Sequence, residues 1–146
     1  MTVIREMTET DVGAAARIEA AVFSQPWSRQ GFSDALAMDC TLFLAAEGED
    51  GILGYIGMYF ALDEAEITNV AVAEAARGRG IGRELVDTAL RRAQARGIRS
   101  AVLEVRVTNA PAIRLYESRG FVREGIRKGF YECPKEDAYI YKKEPL

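Results

Sequence analysis

Apolar positions recur along this chain with two periods, and the switches between them mark out its elements. Val3 to Met7 reads as a short strand. Thr8 follows with the marks of a helix cap, with Asp11 three residues on and Met7 and Val12 placed as a hydrophobic staple. The helix is expected to run to about Phe23, burying Val12, Ala15, Ile18 and Val22 and leaving Arg17 and Glu19 toward solvent. Pro26-Trp27-Ser28 opens a second helix, with Ser28 as cap and Trp27 and Phe32 as staple pair. Thr41 to Ala46 and Ile52 to Ala61 read as strands joined by the polar turn Glu47 to Gly51, a predicted hairpin, and Glu64 to Val72 is a further strand.

Beyond a glycine-rich segment, Ile81, Leu85, Ala89, Leu90 and Ala93 recur at helical spacing until Gly97 stops the helix. Ser100 to Val107 is a strand. Asn109 caps a helix with Pro111 in its first turn, ending near Gly120. Phe121 to Gly125 and Asp137 to Lys142 are the closing strands. The order β-α-α-β-β-β-α-β-α-β-β predicts a mixed α/β fold, with a sheet partly antiparallel and partly joined by a βαβ crossover, and helices on its faces. With 146 residues and no visible linker or repeat, residues 1–146 are expected to form one domain.

Composition narrows the chemistry more than the class. The chain is 49% hydrophobic and 28% charged with a net charge of −3, so nothing global points to nucleic acid or a membrane surface. No apolar run approaches membrane-spanning length and the first residues carry no signal-peptide pattern, so a cytoplasmic protein is expected, with a monomer plausible. There is no histidine, which excludes a His-based triad and a His-ligated metal, and no metal is expected. Proton transfer falls to carboxylates, tyrosine, lysine, cysteine or water. Cys40 and Cys133 lie far apart and form no redox or metal pair.

Arg77-Gly78-Arg79-Gly80-Ile81-Gly82, between an apolar strand and a helix, has the makings of a pyrophosphate pocket. Glycines let the backbone turn sharply and approach a ligand closely, and the helix beginning at Ile81 points unpaired N–H groups back at the loop. The G-x-x-x-x-G-K-[ST] loop of nucleotide triphosphatases is absent, and the glycine spacing is not that of the dinucleotide fingerprint. Arg77, Arg79 and Arg83 surround the turn. Cations are poorly placed at a helix start unless an anion sits there, so the cluster favours a phosphorylated ligand over plain solvated surface.

Three further segments complete a pattern: Leu103-Glu104-Val105, Asn109 to Phe121, and Phe130-Tyr131 followed by Glu136-Asp137-Ala138-Tyr139. Here the chain resembles the GNAT superfamily of N-acetyltransferases, whose acetyl-CoA loop reads [QR]-x-x-G-x-[GA], matched by Arg77, Gly80 and Gly82. The resemblance covers essentially the whole chain. Within the superfamily it is most similar to the ribosomal-protein-alanine N-acetyltransferases of RimI type, through Phe23 to Ser28, Asn69 to Val72, Leu103 to Arg106, Asn109 to Phe121 and Glu136 to Ala138. Arg77 stands where that family often has glutamine, and the run after Asp137 departs from the pattern.

The resemblance implies a sheet that splays between its fourth and fifth strands, with the arm of acetyl-CoA lying in the gap against backbone at Val70, Ala71 and Val72. It implies that Arg77, Gly78, Arg79, Gly80, Ile81, Gly82 and Arg83 hold the pyrophosphate. Asn109 is expected to contact the cofactor arm, though its residue type equally suits a plain helix cap. Glu104 matches the general base and Tyr116 the general acid, the latter also expected as part of an apolar helix face. Tyr131, expected in the loop before the last strand, aligns with tyrosines that grip acceptor peptides, and Trp27 lies in the acceptor-side helix region, where its staple role alone would explain it. Asp63, Glu64 and Glu66 form an acidic stretch that could face a cationic amine or a basic ribosomal protein, or simply solvent as loop surface. The implied reaction is acetyl transfer to a protein N-terminus, plausibly the alanine of a small-subunit ribosomal protein. The alternatives are a small-molecule amine acceptor or a non-catalytic acyl-CoA-binding sensor domain.

Overall fold

The computed structural model describes all of residues 1–146. Its elements follow the expected order: β1 Val3–Glu6, α1 Val12–Val22, α2 Arg29–Leu36, β2 Thr41–Gly48, β3 Gly51–Ala61, β4 Glu64–Val72, α3 Ile81–Ala95, β5 Ser100–Arg106, α4 Ala110–Ser118, β6 Val122–Tyr131 and β7 Glu136–Lys143. Local signals did what their chemistry allows. The Asp11 carboxylate accepts from the Thr8 N–H at 2.8 Å, although the chain first makes a 3₁₀ turn over Glu9–Asp11. Ser28 Oγ accepts from the Gly31 N–H at 3.0 Å, and the staple residues Trp27 and Phe32 meet with ring centroids 5.3 Å apart.

One seven-stranded sheet runs in the order β1-β2-β3-β4-β5-β7-β6. Every neighbouring pair is antiparallel except β4 and β5, which α3 joins as a crossover. The face carrying α3 and α4 buries Leu44, Ile56, Leu85, Val86 and Leu103. Full burial of such a side chain contributes about 1.5–3 kcal/mol. On the other face, α1 and α2 cover Phe43, Ala45 and Tyr55 through Ala15, Ile18 and Phe32. Gly57 is part of this fit, since a Cβ there would stand 2.3 Å from the Phe43 ring.

Two expectations are corrected. Glu19 does not face solvent; it is 3% exposed, because it lies four residues after Ala15 and seven after Val12, on the same face of α1 as both. Tyr131 is not in a loop but ends β6, a strand six residues longer at its C-terminal end than the pattern suggested, and pairs with Glu136. β6 is an edge strand with mostly exposed side chains, so it carries no hydrophobic alternation to read.

Candidate functional site

β4 and β5 share only three rungs, Glu64 with Ser100, Ala65 with Ala101 and Glu66 with Val102. Beyond them β5 follows β7, pairing Glu104 with Ile140 and Arg106 with Ala138, while β4 stays with β3 to Val72. A bulge sits where they part: Gly57 pairs Asn69 and Met58 pairs Ile67, leaving Thr68 without an opposite residue. A wedge-shaped gap opens as a result. The Ala73 N–H donates to Leu53 on β3, so strand alternation turns the polar groups of Val72 and Val70 the other way, into the gap.

At the end of β4 the chain makes a 3₁₀ turn over Glu74–Ala76 and enters the glycine loop. Gly78 and Gly80 adopt φ of 82° and 76°, left-handed conformations that other residues resist. These turns leave the N–H groups of residues 78 to 83 without backbone acceptors, all at the positive end of α3. Val72, Arg77, Gly78, Gly80, Ile81, Gly82, Arg83 and Leu115 line a hollow of about 460 Å³ there. A Cβ on Gly82 would come within 3.4 Å of Leu115, so glycine keeps the floor open. A pyrophosphate fits this donor set. Arg79 gives its backbone N–H to this donor set and also lines a neighbouring hollow with Glu49 and Asp50.

Glu104 is half-buried on β5, two residues past the last rung to β4. Burial pushes its carboxyl pKa up, and the Glu66 charge adds to the rise, against Arg127, which lowers it. Tyr116 comes from α4; its ring is 7% exposed and meets Phe121 edge-on at 5.7 Å. Its hydroxyl makes no hydrogen bond, yet no fully buried polar side-chain atom lacks a partner, so that hydroxyl reaches accessible space. Burial, with a smaller contribution from Tyr131, raises its pKa well above that of a free phenol. Burial foremost, then the Glu104 charge, pushes the Tyr131 phenol up to about 12. Tyr131 is thus coupled electrostatically to both Glu104 and Tyr116.

Asn109 acts as a helix cap, its Oδ1 accepting from the Ala112 N–H at 3.3 Å. Trp27 packs among Phe32, Phe43 and Tyr59. In the acidic stretch, Glu64 is tied to Lys142 at 3.8 Å and to Ser100, whereas Glu66 acts on Glu104.

Two groups of polar residues escaped the sequence reading. Glu19 accepts hydrogen bonds from the Tyr55 hydroxyl, from the Trp27 N–H at 3.0 Å and from Asn69 Nδ2 at 3.5 Å, so it joins the segment before α2 to the bulge of β4. Its spacing from Val12 and Ala15 was the available signal. Arg106 and Glu136 form an ion pair at 3.0 Å beside Tyr131. Both stand in segments that carry the family resemblance, but nothing local in the sequence pairs them.

Comparison with known proteins agrees with this architecture. The model of the acetyltransferase (GNAT) family matches residues 12–121. A [ribosomal protein bS18]-alanine N-acetyltransferase of Salmonella typhimurium is 35% identical over 142 residues, which span 96% of this chain and 95% of that protein. N-alpha-acetyltransferase RimI of Mycobacterium tuberculosis is 33% identical over 147 residues, 97% of this chain and 91% of that protein. Among solved structures, the ribosomal-protein-S18-alanine N-acetyltransferase from Escherichia coli superposes with a TM-score of 0.91 at 32% identity, covering 99% of this chain and 94% of that one. A sheet opened between β4 and β5, a glycine turn feeding α3 and full-length likeness to such enzymes leave one assignment: this chain belongs to the acetyltransferase (GNAT) family.

Proposed function

We propose that this chain transfers an acetyl group from acetyl-CoA to the N-terminal α-amino group of a protein, with the N-terminal alanine of a ribosomal protein as acceptor, and that residues 1–146 act as one acetyltransferase domain. The observation that carries the reading is Glu104, a half-buried carboxyl with a raised pKa standing where β5 leaves β4. The names of the full-length relatives from Salmonella typhimurium and Mycobacterium tuberculosis support the acceptor class.

In this reading the unpaired N–H groups of residues 78 to 83, with Arg77 and Arg83, hold the pyrophosphate of acetyl-CoA, and Arg79 borders the site. Backbone from Val70 through Ala71 to Val72 lines the gap for the pantetheine arm, and a backbone N–H there can hydrogen-bond the developing oxyanion. Bound acetyl-CoA supplies the activated thioester carbonyl. Asn109 keeps its cap and offers its amide nitrogen toward the arm.

An α-amino group has a pKa of about 7.7–8.0 and must be neutral to attack. Glu104, its pKa raised toward the working range, takes the proton directly or through water. Tyr116 stays protonated well into alkaline pH. Its raised pKa makes hydrogen bonding to the departing thiolate (ordinary thiol pKa about 8.5) better supported than complete proton transfer. Tyr131, neutral for the same reason, donates to the acceptor backbone, and Trp27, through its packing on Phe32, Phe43 and Tyr59, holds the segment before α2 on the acceptor side. Attack is direct within a ternary complex with no covalent acetyl-enzyme; Cys40 and Cys133 are free, exposed thiols with no activating partner of their own in the proposed roles.

The test is incubation with acetyl-CoA and an alanine-initiated peptide, following thiol release and locating the acetyl group by mass spectrometry. Transfer to the free N-terminus, and none to the same peptide blocked there, supports the proposal. Turnover with small amines alone, or cofactor binding with no turnover, would replace it with one of the two alternatives.

A further inference from the structure

Arg106 ends β5 two residues after Glu104, on the same face of the sheet. Its guanidinium donates from Nη1 to the Pro134 carbonyl and to Glu136 Oε1, both at 3.0 Å. From Nη2 it donates to the Glu132 carbonyl at 2.9 Å and to Ser24 Oγ at 3.4 Å. Its Cζ lies 4.4 Å from the centroid of the Tyr131 ring. Glu136 is held from its other side by the Thr108 N–H at 2.9 Å and the Thr108 hydroxyl. One planar cation therefore ties the turn between β6 and β7 to the segment between α1 and α2, with the Tyr131 ring against its face.

We infer that Arg106 is a positioning residue for the acceptor: the β6–β7 turn and the α1–α2 segment that it joins are the two walls of an acceptor cleft beside Glu104, and it sets the direction of the Tyr131 phenol. The inference rests on the proposed function for what the cleft receives. The donor geometry needs arginine: lysine keeps the charge but presents one ammonium, which cannot span two carbonyls, a carboxylate and a hydroxyl while lying flat on an aromatic ring. Without the fork, the carbonyls of Glu132 and Pro134 lose their donor and Tyr131 loses its cation. A peptide must then order both walls as it binds, and that ordering cost appears as weaker capture. None of these contacts involves the glycine loop or the gap-facing backbone of β4, so cofactor affinity is unaffected.

The experiment compares wild type with R106K, Y131A and the double variant, reading acceptor KM, kcat, acetyl-CoA affinity by calorimetry and amide hydrogen exchange. Arg106→Lys is expected to raise the acceptor KM about tenfold, the scale of a lost charge-assisted hydrogen bond, with acetyl-CoA Kd held within about twofold. In the Y131A background the same substitution should raise KM much less, and exchange should quicken in residues 22–28 and 129–136 together. A merely structural role would give equal effects in both backgrounds and weaken acetyl-CoA as well, which overturns the inference. Faster exchange in only one wall, or in neither, overturns it too. If wild type acetylates no peptide, the proposed function falls, and the exchange result alone decides the clamp.

Discussion

Glu66 lies opposite Val102 in the last rung that joins β4 to β5, and Glu104 stands two residues further along β5 on the same face. Two acids are thereby held side by side at the mouth of the gap. One further group acts on Glu104, Arg127 of β6, which opposes Glu66; Tyr131 of the same strand feels the Glu104 charge in turn. Removing the like charge favours the ionised form. Glu66→Gln is therefore expected to move the Glu104 titration to lower pH, read by carbon-detected NMR of its carboxyl. The acidic limb of kcat/KM should move the same way. An unmoved titration would show that burial alone sets the shift.

Glu104→Gln should retain acetyl-CoA affinity and lower turnover, most severely below about pH 8, where the α-amino group is increasingly protonated. It carries a second signature. Because the folded pKa of Glu104 is raised, its contribution to stability is fully present below the unfolded value of about 4.3 and is lost as pH rises through the folded pKa. The glutamine variant stays neutral throughout. Its melting temperature should exceed that of wild type at pH 7 to 8, with the difference fading near pH 4. Equal melting temperatures at both pH values would contradict the raised pKa.

Tyr116→Phe keeps the ring that packs on Phe121 and removes a hydroxyl that bonds to nothing in the fold. Stability should change by no more than about 0.5 kcal/mol. Losing the hydrogen bond to the departing thiolate in turn lowers kcat by about 10- to 10²-fold. Chemical denaturation and steady-state kinetics on one preparation separate the two effects. A variant with unchanged kcat would return Tyr116 to a packing role.

Tyr55→Phe tests the buried acid on the opposite face. The phenol donates to Glu19, and its removal leaves that carboxylate with the Trp27 N–H and a long contact from Asn69. A buried polar group that loses a donor costs about 1–3 kcal/mol. The expected result is a lower urea midpoint with an unchanged slope. No loss would mean that water replaces the phenol.

Much of this was legible where chemistry is local. The Ser28 and Asn109 caps, the stop at Gly97 and the glycine turn before α3 each rest on residues within one turn of one another, and each forms as its spacing predicts. The reading failed where a neighbour comes from elsewhere in the chain. Glu19 reads as a surface acid because its donors lie 8, 36 and 50 residues away. The last part of β6 reads as loop because an exposed edge strand needs only a partner's backbone, not an apolar face.

The sequence by itself determined the elements, their order, the glycine turn and the residue types available for proton transfer, since periodicity, capping and backbone freedom are properties of short stretches. Tertiary structure alone decided that β7 inserts between β5 and β6, that β5 leaves β4 after three rungs, and that Glu66, Arg127 and Tyr131 come within electrostatic reach of Glu104. Those arrangements follow from which distant strands exchange hydrogen bonds and which faces can be covered together, a competition across the whole sheet that no short stretch of residues records.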